Sequence, residues 1–147
     1  MIRIRNTREK KEAFRPWLIM HQMANSKPQG MWYSIGKSWH KWCKSEMPDW
    51  IKPHNYQIYI NKNMILTLKS AEEILIFTKK YGVTSFNSEI TGFHINWPEV
   101  AKLHSGIEIN PYQWSLRLDL KTSWYYGWDC ASGCIWNKKA IKKIRGM

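Results

Sequence analysis

The spacing of apolar positions changes period several times along the chain, and each change marks a different element. Residues 15–21 form an apolar run that predicts a short strand, and the Ser26-Lys27-Pro28-Gln29-Gly30 turn leads to a second strand over 31–34. Ser38 is placed to cap a helix reaching Lys44, which would bury Trp39, Trp42 and Cys43 at spacings of three and four. Pro48 and Pro53 break that pattern, and residues 56–60 then alternate polar and apolar as a strand with one wet face does.

Residues 64–68 predict another strand. Ser70 with Glu73 three residues later makes a capping box for a helix ending near Tyr81 and Gly82. Asn96, Pro98 and Glu99 repeat the signal of a helix start, with Gly106 closing the helix. Strands are expected over 106–109, 114–120, 134–136 and 141–145. Short strands outnumber short helices, and helices do not follow every strand, so the pattern predicts an α+β domain rather than a doubly wound sheet. Glu108, flanked by Ile107 and Ile109, is expected on the solvent face of its strand.

At 147 residues, with no repeat and no linker-like tract, the chain predicts one compact domain over 1–147. Aromatic residues make up 14% of it, far more core-forming material than a disordered basic tail carries. Its 23 Lys and Arg outnumber 11 Asp and Glu, and the excess is uneven. Residues 1–16 hold six basic and two acidic side chains, and residues 138–147 hold five basic and none acidic. The expectation is a nearly balanced body with cationic, solvated ends that attract nucleic acid or an acidic, nucleic-acid-associated protein. The apolar runs are too short to span a bilayer, and three cysteines without framework spacing suit reduced thiols, so a soluble cytoplasmic protein is expected.

Several chemistries fail on spacing. The chain has no P-loop and no G-x-G-x-x-G. Cys130 and Cys134 lack zinc-site spacing and a second ligand pair, so no metal is expected and both read as small buried hydrophobes. Ser132 lacks the first glycine of a nucleophile elbow. What the sequence concentrates instead is Trp, Tyr, Gly and small residues in two segments, 27–42 and 124–136. Such segments make an aromatic core or the walls of a site for a flat heterocycle, and both readings stay open here.

The order of residues resembles ADP-ribosyltransferase-like domains. A strand ending in His21, a turn, Gly30 and then Trp32-Tyr33-Ser34 before an aromatic-rich helix is similar to the first half of that family, and the later strands follow a similar order. The resemblance implies strands, mixed and antiparallel, split around an NAD-type cleft, with short helices. It implies that His21 holds the nicotinamide ribose, Tyr33 packs on nicotinamide and Ser34 orients its amide or the ribose, with Trp32 and Trp128 as further walls. The family carries a glutamate on a late strand; this chain has Ser132 or Gly133 there and Asp129 a few residues earlier. Asp129 and Ser132 would then organise the ribosyl cation and the acceptor, giving NAD-dependent ADP-ribosyl transfer to a macromolecule. The competing expectation is a non-catalytic basic module, of the kind phage or bacterial effectors use, that docks on nucleic acid or an acidic protein. A base-modifying enzyme is a third reading, without a catalytic signature in this sequence.

Overall fold

A computed structural model describes residues 1–10, 20–84 and 91–147. The chain folds as an α+β domain around a seven-stranded mixed sheet. Its strands are β1 (Arg3–Thr7), β2 (Met31–Ile35), β3 (His54–Ile60), β4 (Ile65–Leu68), β7 (Gly106–Ile109), β8 (Ser132–Ile135) and β9 (Ile141–Gly146), in the order β4-β7-β8-β2-β1-β3-β9. Every ladder is antiparallel except that of β4 with β7. Between those two the chain runs through helix α2 (Ala71–Tyr81), a small antiparallel pair of β5 (Gly82–Thr84) and β6 (Thr91–Ile95), and helix α3 (Trp97–Leu103). Helix α1 (Ser38–Glu46) follows β2.

Both faces of the central strands are covered. One core collects Ile107, Ile109 and Cys134 of the sheet with Ile74, Phe77, Trp97, Trp124, Trp128 and Trp136. The other collects Met31, Tyr33, Tyr56, Ile58, Ile65 and Ile135. The alternation read in residues 56–60 is present in β3, where Tyr56, Ile58 and Ile60 are buried. At α2 the Ser70 hydroxyl accepts from the Glu73 amide at 3.1 Å, and the Glu73 carboxylate accepts from the Lys69 amide. The cap, with Ile74 and Phe77 on one face, explains why this segment is a helix.

The structure corrects several expectations. Of the cationic segment 1–16, residues 11–16 lie outside the described residues, and the first ten are not simply a solvated end: β1 lies between β2 and β3, and Arg3 is buried. Residues 138–147 form a short turn and edge strand β9, whose exposed Lys142 and Lys143 discourage pairing with another sheet edge. The strand expected over 114–120 is absent; two 3-10 segments, Trp114–Leu116 and Leu120–Gly127, stand there. Side chains capture the backbone locally, with Asp119 accepting from the Lys121 amide and the Thr122 hydroxyl donating to the Leu116 carbonyl, and of the alternating apolar residues Leu116 is buried while Leu118 and Leu120 are exposed. The strand expected over 15–21 lies mostly outside the described residues; Met20 and His21, which are described, belong to no strand. Ser38 does not cap α1 but donates to the Ala131 carbonyl at 2.9 Å, with Lys37 at the cap position. Asn96 stands at the cap of α3 without a side-chain bond, and Gly106 opens β7 rather than closing that helix.

Candidate functional site

A cavity of about 290 Å³ opens where β1, β2, the start of β8 and α1 with its following turn meet. Ile4, Arg5 and Asn6 of β1 line it, with Trp32, Tyr33 and Ser34 of β2 and the 127–130 segment leading to Ser132. Lys27, Trp39, Trp50 and Lys52 complete the wall. The two aromatic segments singled out in the sequence therefore converge on one space, which brings together Trp32, Tyr33, Ser34, Trp128, Asp129 and Ser132. His21 is exposed and does not line it.

Trp32 and Trp128 meet edge to face, with ring centroids 4.9 Å apart, and the Lys27 ammonium lies 5.5 Å from the Trp32 ring. Among the described residues four tryptophans are fully buried, and three of them place their indole N–H on an acceptor: Trp97 on the Asn25 carbonyl, Trp124 on the Thr78 hydroxyl and Trp136 on the His104 carbonyl. The Trp128 indole N–H has no acceptor among the described residues, and Trp128 is the one of the four that lines the cavity. A buried donor left without a partner carries a desolvation cost.

Asp129 is half-buried. Burial pushes its carboxyl above the usual aspartate range, opposed by the charges of Lys27 and of Arg117, whose guanidinium approaches to 3.6 Å. Arg117 also lies against the faces of Trp114 and Tyr126. The Ser132 hydroxyl donates to the Cys130 carbonyl at 2.9 Å and that of Ser34 to the Ile4 carbonyl at 3.3 Å, so both oxygens retain only acceptor capacity toward the cavity. Burial pushes the Cys130 thiol up to about 11, which keeps it protonated and poorly nucleophilic at neutral pH.

Behind this wall lies a feature the sequence reading placed in water. Glu108 is 1% exposed. The Arg3 guanidinium grips its carboxylate through Nε at 2.6 Å and Nη2 at 3.2 Å, and the Tyr33 hydroxyl donates to it at 3.0 Å. Cross-strand register explains the meeting: Tyr33 pairs with Gly133, and Gly133 with Glu108. A side-chain carbon on Gly133 would collide with the Tyr33 ring, so glycine there lets the tyrosine reach across β8. The alternation of Glu108 with two isoleucines is present, but the face it points to is a second buried layer.

Arg5, Asn6, Lys27, Trp39, Trp50 and Lys52 were missed as site residues. Arg5 and Asn6 were hidden by reading the first residues as a tail, and Trp50 and Lys52 lie beyond the aromatic segment. Lys27 and Trp39 fell inside that segment, which was the usable signal. Compared with known proteins, the chain matches no family model, no curated protein and no solved structure.

Proposed function

We propose that the cavity binds the nicotinamide-ribose end of NAD and that the domain, as an ADP-ribosyltransferase-like protein, transfers ADP-ribose to a macromolecular acceptor. The observation that carries this reading is an aromatic-walled cavity, lined by Trp32, Trp39, Trp50 and Trp128, that also holds one carboxylate, Asp129. A flat aromatic ring joined to a sugar fits both: the walls take its faces and the carboxylate lies beside the bond to the sugar. The volume suits one ring and its ribose better than a whole dinucleotide, leaving the pyrophosphate toward Lys27 and Lys52.

In the reaction the bond from ribose to nicotinamide lengthens, the bonding electrons leave with the ring, and positive charge develops on the ribosyl carbon. The Asp129 carboxylate supplies the opposing charge, nicotinamide leaves as the neutral ring, and an acceptor nucleophile bonds to the ribosyl carbon and gives up its proton to solvent. Ser34 and Ser132 accept from ribose hydroxyls. The strand-borne grip that the resemblance gave to His21 falls to Arg5, whose Nη1 is held by the Trp32 carbonyl at 3.1 Å.

Calorimetry with NAD and chromatography of released nicotinamide test the reading. Asp129→Asn is expected to lower nicotinamide release by about a hundredfold or more while retaining NAD binding. Activity is expected to fall on acidification at a higher pH than an ordinary aspartate would dictate, because burial raises this carboxyl and only its ionised form opposes the cation. No binding at millimolar NAD would overturn the proposal.

A further inference from the structure

Trp39, Trp42 and Trp50 gather beside the cavity, with Trp39 and Trp50 in its lining, and none belongs to either core cluster. α1 buries only Cys43, while Trp39 and Trp42 stay half-buried and Trp50, in the turn Pro48–Trp50, is 44% exposed. Trp39 and Trp42 stack with centroids 5.3 Å apart and planes 15° from parallel. Trp50 continues the group, 6.3 Å from Trp39 at 28° and 5.7 Å from Trp42. Core tryptophans of this chain behave differently, packing at steep angles such as 81° between Trp97 and Trp124 and disappearing from solvent.

The charge beside the stack has one dominant sign. Trp39 and Trp50 share the cavity lining with Arg5, Lys27 and Lys52, and Asp129, the acid of that lining, already faces Arg117. Glu46 and Asp49 are exposed, and neither lines the cavity. A near-parallel indole pair fanned out by a third, exposed ring tilted 43° from Trp42, joined to a set of cations, offers what unpaired bases stack on while their phosphates are neutralised. A duplex keeps its bases stacked on each other and offers no free faces to such a platform. A chain charge of +12 further favours a long polyanion over a small dianionic ligand.

We infer that the Trp39–Trp42–Trp50 stack, with Lys52 and Arg5 beside it, is a binding site for unpaired bases of single-stranded nucleic acid. The site stands whether or not the cavity takes NAD; where it does, the bound strand lies at the mouth and is the acceptor.

Fluorescence anisotropy with a labelled fifteen-nucleotide thymidine oligomer and a duplex of equal length, across a salt series, tests this. The single strand is expected to bind more tightly than the duplex. Trp50→Ala should weaken it about tenfold without changing the salt slope, and Trp50→Tyr should restore most of the loss. Lys52→Ala should lower the slope by roughly 0.7. Trp50 is exposed, and thermal melting of each variant checks that the fold is kept. Equal binding of duplex and single strand, or an unchanged affinity in Trp50→Ala, overturns the site. NAD binding measured on the same variants separates the two proposals: a Trp50→Ala that weakens NAD and spares the oligonucleotide would assign the stack to the adenine of the dinucleotide.

Discussion

Glu108 shows how one side chain can tie three strands together. Its two oxygens take an Nε–H and an Nη–H from Arg3 on β1 and the phenol of Tyr33 on β2 while it sits on β7, so the group spans four adjacent strands with β8 beneath the ring. Burial opposes the charge on Arg3, but the hydrogen bond and charge of Glu108 outweigh it and hold the guanidinium above its ordinary range; burial first, and then Glu108, push the Tyr33 phenol well above its usual value. Removing one partner of such a pair leaves the other buried without compensation. Glu108→Gln is expected to destabilise the domain by about 3 kcal/mol, read from the shift of a urea unfolding midpoint at unchanged slope. The sequence carried the residues of this group but not their meeting. Polar residues alternating with isoleucines look alike whether the far face meets water or another layer, and only the strand order distinguishes the two.

Among the elements, those whose local signals agree were legible, and those where side-chain bonds to the backbone compete with the apolar periodicity were not. The capped helix after Ser70 and the alternating β3 have their causes within a dozen residues. Ser70→Ala is expected to lower stability by about 1 kcal/mol, since it strips the acceptor from the Glu73 amide; thermal unfolding would register a drop of several degrees. Residues 114–120 show the opposite case. Their alternation satisfies a strand template, yet hydrogen bonds from Asp119 and Thr122 curl the backbone, and the apolar positions that a strand would have buried on one face mostly stay outside. The candidate site was legible as two aromatic segments because aromatics cluster in sequence there. Its cationic wall was not, because Arg5, Lys27 and Lys52 come from three separate elements that only the sheet order brings together.

At the scale of the molecule, the cavity depends on how the chain closes its sheet. β2 and β3, which flank α1 and the tryptophan stack, do not pair with each other; β1 is inserted between them and contributes both Arg3 to the buried group and Arg5 to the cavity. Among the described residues, no helix is long and apolar enough to cross a membrane. The insertion of β1 makes the first ten residues an inner part of the sheet rather than a trailing end. A chain lacking them would leave β2 and β3 with unsatisfied inner edges, and a synthetic peptide of residues 1–10 supplied separately is expected to dock there and restore cooperative unfolding, measured by calorimetry. The same peptide carrying Arg3→Met should fail to do so, because the docking reaction would have to bury Glu108 without its counter-charge. In engineering terms, such complementation would turn the domain into a two-piece reporter, with reassembly of the fragments and formation of the cavity expected as a single event.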